Sequence, residues 1–237
     1  MRIWPVKALS DGEAVISGSD AKHIITVLRK KSGDRLKISS QDGKVFDAVV
    51  DRISENSVLV TPIGEVQINP QGKPEISLAL GISKPSVMEI VVQKGVELGC
   101  NRIFLFAAER SISPALSPQK MTRLEKVAHE ALKQCGRADA MEISAVSLEE
   151  LPEAGLKIVL WEGERENDLK SVLDGAKNSE TVLALIGPPA GLSDKEVEKL
   201  RKAGFISAGL GSLVLRTETA AIAMLSILNF HFGRISQ

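Results

Sequence analysis

Asn69-Pro70-Gln71-Gly72-Lys73-Pro74 is where the 237-residue chain changes character. Two prolines and a glycine in six residues interrupt any helix or strand, and stretches of this kind mark domain boundaries. The boundary placed there leaves an N-terminal unit over 1–70 and a C-terminal unit over 75–237. Upstream the apolar runs are short, as at 36–38, 45–50 and 57–60, with Gly33-Asp34 and Asp42-Gly43 between them. Asp-Gly favours a hairpin because both residues tolerate positive φ, so this part reads as a compact all-β barrel. One interruption, residues 20–31, carries Ile24, Ile25, Val27 and Leu28 behind Asp20 as a cap and reads as a short inserted helix.

Downstream, β-type runs at 76–81, 102–106, 157–161, 181–186 and 205–210 alternate with helical segments at 87–98, 118–134, 195–203 and 219–232. That alternation predicts an α/β domain on a mainly parallel sheet. No repeat of 20 to 50 residues interrupts it.

Composition narrows the function. Thirty Lys+Arg balance thirty Asp+Glu, so binding to nucleic acid must come from local basic patches. Two such stretches exist. Residues 22–37 hold Lys22, Arg29, Lys30, Lys31, Arg35 and Lys37 against Asp34 alone, and residues 110–137 hold Arg110, Lys120, Arg123, Lys126, Lys133 and Arg137 against Glu125 and Glu130. For Lys126 and Lys133 a solvated helix face is the better reading. Two Trp, six Phe and no Tyr leave few platforms for stacking single-stranded bases, so recognition by backbone and shape is expected. Two cysteines, neither at metal-ligand spacing, argue against a disulfide scaffold and a zinc site. With no apolar run of about 18 residues, the expectation is a cytoplasmic protein with no membrane partner and no metal.

Glycine-bearing turns follow three of the predicted strands: Glu162-Gly163, Gly187-Pro188-Pro189-Ala190-Gly191 and Gly209-Leu210-Gly211-Ser212. In an open α/β sheet ligands settle beyond those strand ends, although each glycine taken singly also serves as a plain turn residue. Pro188 and Pro189 remove two N–H donors, the opposite of a phosphate nest. In Leu215-Arg216-Thr217-Glu218-Thr219-Ala220, Thr217 reads as the cap of the last helix. Arg216 then either projects towards the glycine loops or pairs with Glu218 on the surface. That helix is apolar widely enough to suit a core helix or an oligomer seam.

The chain resembles the RsmE family, bacterial 16S rRNA uracil-N3 methyltransferases of the SPOUT superfamily. The resemblance rests on His23-Ile24-Ile25-Thr26-Val27-Leu28-Arg29 with Gly33-Asp34, Lys84 with Met88-Glu89, and Gln93-Lys94-Gly95-Val96-Glu97-Leu98-Gly99. It continues through Glu109-Arg110-Ser111, Lys120 with Arg123, the stretch 130–137, the glycine loops and Leu215 to Ala220. The resemblance implies a PUA-like N-terminal β-barrel that binds RNA and a C-terminal SPOUT α/β domain with a deep trefoil knot. It further implies a homodimer, S-adenosylmethionine as cofactor, and 16S rRNA in the 30S subunit as partner. Carried over residue by residue, cofactor binding falls on Leu160, Glu162, Gly187, Gly191, Leu210, Gly211, Leu215, Thr217, Thr219 and Ala220. The family usually reads Gly-Pro-Glu-Gly-Gly where this chain has Pro189 and Ala190, so a carboxylate is missing from the loop.

Attack by uracil N3 requires loss of its proton, so the enzyme must position the base and stabilise charge on the uracil oxygens. Arg216 is the candidate for that charge and Glu218 for ordering the loop or taking the proton through water; His23 lies in the other domain. The RNA-binding candidates are Lys22, Arg29, Lys30, Lys31, Arg35, Arg110 and Arg137. The alternative is a non-catalytic ribosome-binding or assembly protein that kept the fold after the Pro189 and Ala190 changes. An enzyme acting on a small metabolite leaves the basic barrel without a purpose.

Overall fold

The computed structural model describes residues 3–6, 9–10, 12–40, 44–66, 72–137 and 139–234. The Asp42-Gly43 turn and residues 69–71 of the proline-rich linker lie outside the described residues. Two compact units emerge, one of Met1–Pro70 with His129–Ala140, the other of Gln71–Ala128 with Met141–Gln237.

In the first unit six strands, β1 (Ile3–Pro5), β2 (Leu9–Ser10), β3 (Glu13–Ser17), β4 (Arg35–Ser39), β5 (Val45–Ile53) and β6 (Ser57–Val66), form one sheet in the order β1-β4-β5-β6-β3-β2. All pairings are antiparallel except β1 with β4. Strand alternation sends Trp4, Ile16, Ile38, Val50, Val58 and Val60 into one apolar core, which the inserted helix closes with Ala21 and Ile24. That helix departs from the expected 20–31. It starts one residue earlier, as α1 (Ser19–Lys22) capped by Gly18, and continues only as a π turn over His23–Val27. Asp20 is therefore a first-turn residue and caps nothing; its carboxylate meets Lys133 at 2.8 Å. The helix cannot run to Lys31 because Arg29 takes a positive φ of 50°.

In the second unit β7 (Glu75–Gly81), β8 (Arg102–Phe106), β9 (Glu142–Val146), β10 (Leu156–Leu160), β11 (Thr181–Ile186) and β12 (Ile206–Ala208) form a wholly parallel sheet in the order β12-β10-β11-β7-β8-β9. Helices α2 (Pro85–Glu97), α3 (Pro118–Cys135), α4 (Leu169–Asp174), α5 (Asp194–Lys202) and α6 (Thr217–His231) complete the chain. Alternate residues of the strands face opposite layers. Ala79, Phe106, Val159, Leu183 and Leu185 pack with Val197 and Leu200 of α5, while α6 packs on β7, β11 and α2. The strand order reverses beside β7, whose neighbours are β8 and β11, and in an open α/β sheet the crevice at such a reversal is where ligands bind. Among the described residues no helix is long and apolar enough to cross a membrane, and no group of three or more His, Cys, Asp or Glu could hold a metal ion.

Candidate active site

Four loops leave the carboxyl ends of neighbouring strands: 107–117 after β8, 161–168 after β10, 187–193 after β11 and 209–216 after β12. Each is held by another. The loop after β11 lies on the end of β7 because Gly81 has no side chain: a Cβ there would fall on the Pro188 nitrogen and stand 2.6 Å from its Cδ. Gly191, at φ 73°, turns its Cα onto the Glu162 carboxylate, which occupies the space a Cβ would need. Thr217 Oγ1 donates to the Gly187 carbonyl at 3.4 Å. Loop 161–168 is joined to loop 209–216 by hydrogen bonds from the Gly209 amide to the Asn167 carbonyl and from the Leu169 amide to the Gly209 carbonyl.

Glu164 fixes the β10 loop. One carboxylate oxygen accepts from the amides of Arg165, Glu166 and Asn167; the other accepts from the Ser207 hydroxyl and from Arg201 at 2.9 Å. The Ser207 hydroxyl, foremost, and the backbone amides hold this buried carboxyl at a pKa of about 2, against the opposing effect of burial. Glu196 does similar work one loop away, accepting from the Ser193 amide and hydroxyl with one oxygen and from the Glu109 amide at 2.8 Å with the other.

The structure brings Leu160, Glu162, Gly187, Gly191, Leu210, Gly211, Leu215 and the start of α6 to the carboxyl-end loops of one sheet. One expectation needs correction. Thr217 is not the cap of α6: the N-cap is Arg216, extended at φ −64° and ψ 153°, and Thr217 is buried in the first turn with its hydroxyl turned back to Gly187. Thr219 and Ala220 follow within that turn, Thr219 facing solvent. Arg216 is exposed and its side chain has no partner among the described residues; no ion pair joins it to Glu218, which is half-buried and likewise unpartnered. The amides of Gly211 to Leu215 donate to no group among the described residues, and Leu213 and Val214 are 78% and 82% exposed.

The cations divide. Lys22, Arg29, Lys31 and Arg35 are exposed on the first unit. Lys30 is half-buried and donates to the Arg35 carbonyl, and Lys37 is paired with Asp47. Arg137 is a correction: its side chain is 5% exposed and forks onto Asp139, which withdraws it from a phosphate. Lys133, read as solvated, is equally buried between Asp20 and Glu130. Arg110 donates to the carbonyls of Ala190 and Leu192. His23 packs against the Trp4 ring in the barrel, at 5.6 Å between centroids.

Sequence reasoning missed Gly81, Glu164, Glu196 and Ser207. Ser193-x-x-Glu196 was readable as a capping box, and a glycine closing a strand as a point of close backbone approach.

Residues 70–229 match the model of an RNA methyltransferase domain, and residues 16–63 that of an RNA methyltransferase PUA domain. The chain is 31% identical over 234 residues to ribosomal RNA small subunit methyltransferase E of Buchnera aphidicola (subsp. Schizaphis graminum), covering 93% of this chain and 92% of that one. To the protein of the same name in Bacillus subtilis it is 27% identical over 227 residues, 91% and 89% of the two chains. A Legionella pneumophila protein, solved in complex with the bound cofactor SAM, superposes with a TM-score of 0.85 at 30% identity, covering 97% of this chain and 96% of that one.

Proposed function

Since the chain belongs to the RNA methyltransferase family and comprises a PUA-like unit and a parallel-sheet methyltransferase domain, we propose that it uses S-adenosylmethionine to methylate N3 of a uridine in 16S rRNA, in the assembled 30S subunit. The observation that carries this reading is Arg216, a guanidinium without a partner among the described residues, heading α6 next to a run of free backbone amides at the carboxyl end of the parallel sheet.

The residues present fit the cofactor. Free amides from Gly211 to Leu215 suit its polar atoms, half-buried Leu160, Leu210 and Leu215 its apolar parts, and Gly187 and Gly191 allow close backbone approach. Thr217, Thr219 and Ala220 complete that set from the start of α6, and Glu162 adds a carboxylate beside Gly191. When bound, S-adenosylmethionine supplies a methyl group on a sulfonium for in-line displacement. Arg216 stabilises the negative charge that grows on the uracil oxygens as N3 loses its proton, helped by the positive N-terminal end of α6. Glu218, in the first turn, orders the loop and accepts the N3 proton through a water. Exposed Lys22, Arg29, Lys31 and Arg35, with half-buried Lys30, hold RNA phosphates.

The reading includes a homodimer and a trefoil knot, the knot supported by hydrogen bonds that join the loop after β10 to the loop after β12 and the start of α6 to the loop after β11. Half-buried Ile222 and Ile227 and the 77% exposed Phe230 of α6 support a second copy packing there. The test is nucleoside mass spectrometry of 16S rRNA after incubation with S-adenosylmethionine and small subunits lacking the modification. New 3-methyluridine is expected. Its absence, where a related active enzyme modifies the same subunits, refutes the reading and favours a non-catalytic ribosome-binding protein, in line with the carboxylate missing at Pro189.

A further inference from the structure

Residues 187–192 have little of their own to hold them. Pro188 and Pro189 carry no N–H, and among the described residues the loop's own backbone is closed by the Gly191 amide donating to the Pro188 carbonyl at 2.8 Å. Pro189 and Ala190 are exposed and offer no polar side chain. The carbonyls of Ala190 and Leu192 are instead met from outside, by Nη1 of Arg110 at 3.3 and 3.4 Å.

Arg110 is itself set on a fixed turn. The Ser111 amide donates to the Ala108 carbonyl, and the Ala108 amide to Ser111 Oγ, both at 2.9 Å. One residue before it, the Glu109 amide donates to Glu196, whose other oxygen holds Ser193 at the start of α5. The turn after β8 therefore grips the loop after β11 at two places, 190–192 through Arg110 and 193–196 through Glu109. A planar guanidinium suits bridging two carbonyls, where an ammonium makes a shorter and less directed contact.

We propose that Arg110 is a positioning residue for the cofactor loop, holding 187–192 in the shape that receives S-adenosylmethionine, and not a phosphate contact. This deepens the proposed function and rests on it. Arg110 shapes a loop whose missing carboxylate no longer contributes a side chain, and does so through backbone groups that any sequence at 189 and 190 would present.

The experiment is calorimetric titration of the full chain with S-adenosylmethionine in the absence of RNA, for wild type, R110A and R110K. Alongside it run thermal unfolding, KM and kcat for the cofactor, and RNA affinity as a function of salt. R110A is expected to weaken cofactor binding about tenfold, raising KM for S-adenosylmethionine more than it lowers kcat. Its melting temperature, RNA affinity and salt slope stay at wild-type values, and R110K recovers part of the loss. Unchanged cofactor affinity in R110A overturns the assignment, as does weaker RNA binding with a salt slope reduced by about one phosphate contact. Failure of the wild type to bind S-adenosylmethionine refutes the proposed function itself, and the inference with it.

Discussion

Gly81→Ala tests how the loop after β11, assigned to the cofactor in the proposed function, is seated. The added Cβ falls on the Pro188 nitrogen, 2.6 Å from its Cδ and 2.9 Å from the Gly187 carbonyl carbon. Carbon contacts relax at about 3.5–4.0 Å, so loop or strand must yield by roughly 1 Å. The strand is the stiffer side, since β7 pairs with β11 and β8 along its length and its residues from 78 to 81 are fully buried. Gly81 has no positive φ, so alanine strains nothing at its own backbone and the cost is steric. Overpacking of this kind costs about 1–3 kcal/mol, and each kcal/mol lowers the melting temperature of a chain this size by roughly 2–4 °C. On the proposed function, displacing Gly187 and Pro188 by roughly 1 Å lowers turnover about a hundredfold, since the loop would then set where the reactants meet. Thermal unfolding, S-adenosylmethionine titration and kcat/KM are measured on the same preparation. Gly81→Ala with wild-type cofactor affinity and turnover refutes the reasoning, because the loop then tolerates a collision that the geometry forbids.

Arg216→Ala abolishes methyl transfer while melting temperature and cofactor affinity stay near wild type; single-turnover rates check this, and a near-normal rate removes Arg216 from the chemistry. Arg29→Glu with Lys31→Glu weakens RNA binding and flattens its salt dependence by roughly two phosphate contacts, read from the slope of log K against log salt; an unaltered slope places the RNA elsewhere. Glu164→Gln acts through pH. The folded-state pKa of about 2 lies below the ordinary 4.5, so the carboxylate's stabilisation is complete above 4.5 and fades as pH falls towards 2. The variant therefore melts below wild type at neutral pH and the gap closes on acidification; a gap independent of pH between 5 and 2 contradicts the assignment.

The parallel strands were legible because burial on both faces writes continuous apolar runs, as in Ile76 to Gly81 and Thr181 to Ile186. β9 was not, since an edge strand that is nowhere fully buried leaves no such run. The start of α6 was misread because a hydroxyl at a helix start looks the same in sequence whether it caps its own helix or, as in Thr217, donates to a carbonyl thirty residues away. Charge counting likewise located a basic stretch at 110–137 without showing that Lys133 and Arg137 are buried in ion pairs and that Arg110 faces carbonyls.

These misreadings share a cause that also says what the site is. Its candidate reacting groups, Arg216 and Glu218, have no side-chain partner among the described residues, so the sequence could nominate them by type alone. The groups that shape it do the reverse. Gly81, Thr217, Glu162 and Glu196 each act on a loop from another strand, and Glu164 ties its own loop to Ser207 of β12 and Arg201 of α5; that partnership exists only once the sheet has set its strands side by side. Substitution at Pro189 and Ala190 is tolerable to the fold for the same reason, because the loop's position is fixed by neighbours that touch its backbone.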